Sequence, residues 1–301
     1  SYNPLLMALI WNSLATRKTR LLTSSMQKSF AIEQDCSWVN YVRCHDDIGW
    51  TFDDTVAHQL GINPYDHRYF LNQFFTGRFE GSYADGVPFA ENPSNGDCRV
   101  CGSLASLCGL EGALQANDQQ AIDTAMRRIM LVHGVIMSIG GIPLLYSGDE
   151  MGLLNDYSYR DDPAKAHDDR WVNRIAVTSA HIDDIETAPA ATDSLERKTQ
   201  KAIFAGIKQL INLRKEHAVF GQARTHILQT ANQHCFVYCR VADDGQKLLV
   251  LCNFSEHPQT LQSNVLEVFD GEPATDLLTN HRIEKASDIH LAPYQQYWLL
   301  S

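Results

Sequence analysis

The sequence predicts an α/β chain that ends in a separate all-β module, and three observations carry that prediction. Apolar runs rich in β-branched and aromatic residues stop abruptly at charge in two places, His45-Asp46-Asp47 and Gly148-Asp149-Glu150. A stretch with helical spacing of apolar side chains precedes each run, so helix and strand alternate as in a barrel-type α/β layer. Beyond Gly221 the texture changes to short alternating strands separated by turns, which reads as a β-sandwich.

Taken in order, residues 4–22 carry Leu5, Leu6, Leu9, Ile10, Leu14, Leu21 and Leu22 at helical spacing, with Pro4 suited to a first turn. Residues 38–44 predict a buried strand. Residues 48–110 form a long excursion, with a helix after Pro64 and a Gly/Pro/Asn-rich loop from Gly77 to Asp97. Residues 118–139 hold the strongest helical pattern, closed by Gly140-Gly141. A short strand is predicted over 142–146, a polar loop over 155–174, a weakly ordered stretch over 176–198 and a helix over about 196–217. The module beyond it is predicted to have strands at 234–241, 247–254, 258–262, 266–269 and 294–300. The expected division is therefore 1–220, containing the excursion 48–110, and 221–301.

With 301 residues, 44% apolar and 20% charged, the chain can bury a large core. A net charge of −11 with no basic stripe argues against nucleic acid or an anionic membrane surface as partner. No apolar run approaches the length of a membrane span. The N-terminal Ser1-Tyr2-Asn3-Pro4 has neither a start methionine nor a signal-peptide pattern; mature processing, a cloned fragment or a partial reading frame would each give it. Eight cysteines without framework spacing read as reduced thiols in a cytoplasmic protein. Cys98 and Cys101 form a lone Cys-x-x-Cys pair, short of the second pair that a zinc site needs, and no metal or other cofactor is expected.

Charge at the end of a buried strand is costly unless it is paired or used. At barrel strand ends it is commonly used, because the C-terminal face is where active sites form. His45 beside Asp46 can bind a metal, act as an acid–base pair or hold neighbouring hydroxyls, and structural ion pairing is the plain alternative. The second acidic strand end and the polar excursion, with Arg68, Asp97 and Arg99 among Tyr65, Phe89 and glycines, favour function. Aromatic and paired-charge walls suit a polyhydroxylated neutral ligand such as a sugar. His-Asp-Asp-Ile-Gly also superficially resembles the doublet of metal-dependent phosphohydrolases. Those sites need further upstream histidines and a helical doublet, and here no histidine precedes His45.

Several strings resemble a known family. Asn40-Tyr41-Val42-Arg43-Cys44-His45-Asp46-Asp47 is similar to the seventh-strand region of the α-amylase superfamily, and Gly141-Ile142-Pro143-Leu144-Leu145-Tyr146-Ser147-Gly148-Asp149-Glu150 to its eighth-strand segment. Gly49-Trp50-Thr51-Phe52, Tyr65-Asp66-His67-Arg68, Asn92-Pro93-Ser94-Asn95-Gly96-Asp97-Cys98-Arg99 and Asp168-Asp169-Arg170-Trp171 resemble the amylosucrases and related sucrose hydrolases. So do residues 4–12, with Asn253-Phe254-Ser255 and Pro293-Tyr294-Gln295 in the β-module. The resemblance implies the C-terminal part of a (β/α)8 TIM barrel, about strands 7 and 8, followed by the sandwich. It also implies retaining chemistry on sucrose, with glucose passed to an α-1,4-glucan or to water. Asp46 would stabilise the distorted, oxocarbenium-like sugar, and His45 would hydrogen-bond the same ring. Asp47 and Arg99 would contact the fructosyl side, Arg170 would close the pocket floor against an acidic residue of an earlier loop, and Arg68 would line the acceptor path. Asp97 belongs to the same substrate-binding set.

The family's nucleophile and acid/base lie at earlier strand ends than any in this sequence. Residues 1–37 offer only Glu33 and Asp35, neither in the family's pattern. The resemblance thus implies that the rest of the barrel is a partner, upstream or on another chain, and that the isolated chain is inactive. A truncated remnant that at most binds sugar is the non-enzymatic alternative. Ala90-Glu91 replaces an expected glutamine-type acceptor contact, which leaves a hydrolase without polymerase activity open.

Overall fold

A computed structural model describes residues 1–33, 36–187, 194–221, 223–284 and 287–301. Asp35 and residues 188–193, the middle of the stretch expected to be weakly ordered, lie outside the described residues. The helix expected over 4–22 is two helices, α1 (Pro4–Thr16) and α2 (Arg20–Ser29). Asn3 caps α1 by accepting the Leu6 N–H, and Pro4 occupies the first turn, where no N–H is missed. The break falls at Arg17, which has left-handed backbone (φ 58°). Its carbonyl accepts from His234 Nδ1, its side chain pairs with Glu256 at 3.0 Å, and the Thr19 N–H donates to the Gln233 carbonyl. The corner is docked on the β-module, which overrides helical spacing.

Strand β1 is only Val39–Asn40, shorter than the run 38–44 suggests. It lies parallel between residues 1–3 and the later segment Ile142–Pro143. Val39 N–H donates to Ser1 O at 2.7 Å, Asn3 N–H to Val39 O at 3.0 Å, and Ile142 N–H to Trp38 O at 2.8 Å. Pro4 starts a helix on one side, and on the other Leu144 N–H donates the last bond of the ladder, to Asn40 O at 2.8 Å. Past Asn40 the carbonyls serve other groups: Val42 O accepts the Trp11 indole N–H and Cys44 O accepts from Asn173 Nδ2. The residues stay buried without staying in a sheet. A buried amide relay fixes the register, Asn3 Nδ2 donating to Asn40 Oδ1 and Asn40 Nδ2 to Gly140 O.

The excursion contains α3 (Asp54–Gln59), α4 (Pro64–Phe75) and a small hairpin, β2 (Val87–Phe89) antiparallel to β3 (Arg99–Cys101). Val100 exchanges backbone hydrogen bonds with Ile48, so the excursion returns to the point it left. Short helices α5 (Leu104–Leu107) and α6 (Leu110–Gln115) lead to α7 (Gln119–Ser138), capped by Asp118. Gly140 and Gly141 follow with positive φ, and a Cβ on Gly141 would stand 2.4 Å from the Trp38 carbonyl oxygen. Only glycine lets β4 (Ile142–Pro143) approach β1 this closely. The strand expected over 142–146 is likewise cut to these two residues. The polar loop 155–174 holds two short 3₁₀ turns, and α8 (Ser179–Thr187) and α9 (Leu195–Glu216) follow.

A six-stranded antiparallel sheet dominates the C-terminal part, in spatial order β10-β9-β12-β7-β6-β5. Its members are β5 (Ala223–Leu228), β6 (Cys235–Ala242), β7 (Lys247–Asn253), β9 (Ala274–Asp276), β10 (Arg282–Ile283) and β12 (Gln296–Leu300). β8 (Gln259–Leu261) pairs instead with β11 (Ile289–Leu291). Residues 263–269, part of which was expected to be a strand, form a 3₁₀ turn that buries Leu266 and Phe269.

Strand alternation gives the sheet two apolar faces. Cys235, Val237, Cys239, Leu249, Leu251 and Leu299 face the β8–β11 pair and the 3₁₀ turn, an uneven second layer for the expected sandwich. Phe236, Tyr238, Leu248, Val250, Cys252 and Trp298 join one continuous core with α1, α2, α7 and α9. Tyr238 and Ser138 hydroxyls meet at 2.6 Å in that layer, Gln296 Nε2 donates to Met130 O, and Trp298 packs on Phe220. Among the described residues no helix is long and apolar enough to cross a membrane.

Trp298 is fully buried between sheet and helices. Replacing it with alanine is expected to cost about 3–5 kcal/mol, read as a lower urea midpoint with an unchanged slope. A loss well under 1 kcal/mol would show that sheet and helices do not unfold as one unit.

Candidate active site at the ends of the parallel segments

The chain leaves β1 through Tyr41 and Val42, both buried, and then exposes His45. Arg43, only 1% exposed, turns back beneath this corner. Its Nε donates to Gly102 O and its Nη2 to Asp46 O, both at 2.9 Å. One guanidinium thereby ties the outgoing loop to the returning end of the hairpin. Asn173 adds a second tie, accepting from the Gly102 N–H and donating to Cys44 O.

Above this floor the charged groups converge. Asp46 Oδ2 lies 3.3 Å from His45 Nε2, while its Oδ1 lies 3.3 Å from Arg170 Nη1 and 3.5 Å from Arg174 Nη2. Arg170 also holds Asp168 through Nε and Nη2, at 2.8 and 2.9 Å, and Arg174 reaches Asp168 at 3.4 Å and donates to His45 O at 2.9 Å. Such forked contacts are charge-assisted and directional. They pull the Asp168 carboxyl below its usual range, and the same bonds hold the Arg170 proton more firmly. Arg170 further stacks over Phe89 at 5.0 Å. Arg99 Nη1 contacts Asp47 Oδ2 at 3.3 Å beside this group. Five of the seven residues singled out in the sequence, His45, Asp46, Asp47, Arg99 and Arg170, are thus brought to one patch.

Arg68 and Asp97 line a different cleft of about 360 Å³, shared with Asp54, His58, Asn63, Tyr65 and Tyr69. Arg68 is held there by Asp54 and the carbonyls of Trp50 and Phe52, and Asp97 accepts from Asn72 Nδ2 at 3.2 Å. Glu91 pairs with Arg78, and Ala90 beside it has left-handed backbone. Sequence reasoning gave no role to Arg43, Asn173 or Arg174. The only available signals were a cation inside an apolar run and a second arginine four residues after Arg170.

Cys44, His45 and Asp46 each offer a metal-ligand atom, all within 4.8 Å of one another. Two guanidinium groups already match the Asp46 charge, which makes the trio better suited to hydroxyl groups than to a cation. Cys98 and Cys101 are buried, and burial pushes their thiols up to about 11 and about 12, away from thiolate ligands.

The second acidic strand end is also drawn in from below. Asp149 is buried, and burial pushes its carboxyl up to about 7 against the opposing pull of Arg43. Glu150 turns away and accepts the Gly148 N–H.

Residues 227–300 match the family model described as "Amylosucrase, C-terminal domain". Glucosylglycerate phosphorylase of Escherichia coli (strain K12) is 27% identical over 174 residues, covering 57% of this chain and 28% of that protein. Trehalose synthase of Thermus thermophilus is 24% identical over 165 residues, covering 51% of this chain and 17% of that protein. These relatives are enzymes of the α-amylase family. Among solved structures, AmyP in complex with maltose aligns with 99% of this chain and 49% of its own at a TM-score of 0.57 and 14% identity. Sucrose 6F-phosphate phosphorylase from Thermoanaerobacter thermosaccharolyticum aligns with 97% and 47% at 0.56 and 13%. At these identities the shared property is the fold. This chain spans about half the length of those structures, and its matched stretch less than a third of the curated relatives.

The buried Asp149 gives a pH test. A carboxyl whose folded pKa is raised binds its proton more tightly when folded, so it contributes progressive destabilisation as pH rises from about 4 to about 7, and a constant penalty above. Wild type should therefore lose stability relative to Asp149→Asn across that window, measured as the difference in Tm at each pH. A pH-independent difference would show that Asp149 titrates normally.

Proposed function

We propose that the patch around Asp46 grips the glucosyl ring of an α-glucoside, sucrose being the preferred donor, within a retaining glucosyl-transfer enzyme. The observation that carries this reading is the posture of Asp46. It lies at the mouth of a parallel strand end, half exposed, flanked by a histidine and two fixed guanidinium groups. A carboxylate held this way can accept two ring hydroxyls and face the positive charge that develops at the anomeric carbon. His45, largely exposed and in contact with Asp46 through Nε2, would donate to the same sugar. Asp47 with Arg99 forms a second polar pair where a leaving fructose would lie, and Arg170, anchored by Asp168, closes the floor.

The reacting pair is assigned to polypeptide beyond these 301 residues, forming the remainder of an eight-stranded barrel with residues 1–220. The solved structures of this fold are about twice as long. The β-module, residues 221–301, packs on the barrel segment through Trp298 and its neighbours. Arg68 and the exposed rings of Tyr65 and Tyr69 would receive the acceptor in the neighbouring cleft.

Phosphorolysis is a specific second reading, favoured by the two phosphorylases among the similar proteins and by the arginine pair. It competes only for the fate of the glucosyl group. Incubating the complete protein with sucrose, with and without phosphate, separates the fates: free glucose marks hydrolysis, insoluble α-glucan marks polymerisation, and glucose 1-phosphate marks phosphorolysis. Fructose release in none of these mixtures would refute sucrose as donor.

Two outcomes are expected. In the complete protein, Asp46→Asn should lower kcat by about a hundredfold or more with a much smaller change in KM, because the lost contact strengthens only as charge develops. An unchanged kcat would remove Asp46 from the site. The 301-residue chain alone should release no fructose from sucrose, since about 8 kcal/mol or more of barrier lowering depends on the attacking and proton-donating carboxyl groups. Turnover by the purified chain would overturn that assignment.

A further inference from the structure

We infer that Asp149 is a positioning residue for Asp46, acting through the buried Arg43 guanidinium with one water molecule seated between them. The inference rests on the reading of Asp46 as a sugar-gripping group, and it adds a control beneath that group. Arg43 makes two of its bonds, to Gly102 O and Asp46 O, but its Nη1 reaches no acceptor among the described residues. Asp149 is 5% exposed, and its Oδ2 reaches no donor among the described residues. Both side chains line the same small cavity, whose free volume of about 10 Å³ is close to that of a single water. Ser103, Tyr146, Ser147 and Asn173 complete its polar wall. A donor and an acceptor of opposite charge, each with one buried atom unsatisfied and a water-sized gap shared between them, are most cheaply joined by water.

The charged and titratable groups around Arg43 and Asp149 define what the pair does. From the end of β1 comes Arg43. From the turn after β4 comes Tyr146, while Glu150, next to Asp149, is turned onto the Gly148 N–H. From the α5–α6 corner come the Leu104 N–H and the Cys108 thiol. Tyr41, Cys44 and Cys101 stand near Arg43. Burial pushes Tyr41, Tyr146, Cys101 and Cys108 up, so they remain neutral near pH 7. Asp149 is then the carboxylate that can balance the inner side of Arg43. Ionised, it fixes the guanidinium plane and hence the Asp46 carbonyl. Protonated, it leaves Nη1 without a countercharge, and Arg43 can tilt away from the loop carrying His45 and Asp46. Burial pushes the carboxyl up to about 7, so this posture is expected to be sensitive to pH in the neutral range.

The test has a structural arm and a kinetic arm, both on the complete protein. High-resolution crystal structures should show one ordered water within hydrogen-bond distance of Arg43 Nη1 and Asp149 Oδ2, with loop 44–47 ordered at about pH 8 and displaced or weakened at about pH 6. A dry cavity, or a loop identical at both pH values, overturns the inference. Kinetically, Asp149→Asn should lower kcat on sucrose by about tenfold with KM within about threefold, and should flatten the acid limb of the pH profile. Asp149→Glu should restore part of both. A merely structural residue would change Tm and leave the limb in place, and that result also overturns the inference. Should Asp149→Asn fail to fold, Asp149→Glu and the paired crystal structures decide. If wild type does not turn over sucrose, the functional reading fails, and the water with its pH-dependent loop decides this inference separately.

Discussion

The site depends on one buried cation. Arg43 is 1% exposed, and a guanidinium taken out of water must recover its hydration from protein partners. Its two acceptors lie on separate parts of the chain, Asp46 O on the loop leaving β1 and Gly102 O at the end of the returning hairpin. Asp149, on the turn after β4, lines the same small cavity as Arg43. Satisfying this charge ties the loop to the hairpin, with the turn after β4 close by. The fold therefore obtains a rigid corner at the mouth of very short parallel strands, where backbone pairing alone supplies only a few hydrogen bonds. The exposed groups inherit that rigidity: His45 and Asp46 sit on a loop whose carbonyls are held from beneath by Arg43, Asn173 and Arg174.

Much of the framework was legible in the sequence because it follows from periodicity. α7 and α9 show sustained apolar stripes with clear caps, and they fall where the spacing places them. The strands of the parallel layer were read too long because an apolar run reports burial, not pairing. Tyr41 and Val42 are buried, yet the Val42 carbonyl accepts a tryptophan indole N–H, and the Cys44 carbonyl a side-chain amide, instead of a neighbouring strand. The opposite failure occurs at β5, whose Arg224, Thr225 and His226 look polar because the strand lies at the sheet edge. Residues 263–269 carry strand-like Val265, Leu266, Val268 and Phe269 but bury them from a 3₁₀ turn. No local pattern distinguishes that from a short strand.

The candidate site was legible to a similar extent. Resemblance to the amylosucrase-type strings marked His45, Asp46, Asp47, Arg99 and Arg170, and the structure brings these five to one patch. The supporting groups were not visible, because support depends on which loop folds under which. Asp168 shares both guanidinium groups with Asp46, which sets how far Arg170 can lean toward a ligand. Two carboxylates competing for two arginines make an arrangement that a sugar hydroxyl can enter without leaving any charge unmatched.

The central claim is that Asp46 and His45 hold one glucosyl ring. The most direct measurement is a crystal structure of the complete protein soaked with sucrose, using a variant slowed enough to keep the sugar intact. The account predicts the glucosyl ring hydrogen-bonded to Asp46 and His45, with the fructosyl ring against Asp47 and Arg99. A sugar bound only in the Tyr65–Arg68 cleft, with Asp46 still paired to Arg170 and Arg174 and touching no hydroxyl, would contradict it.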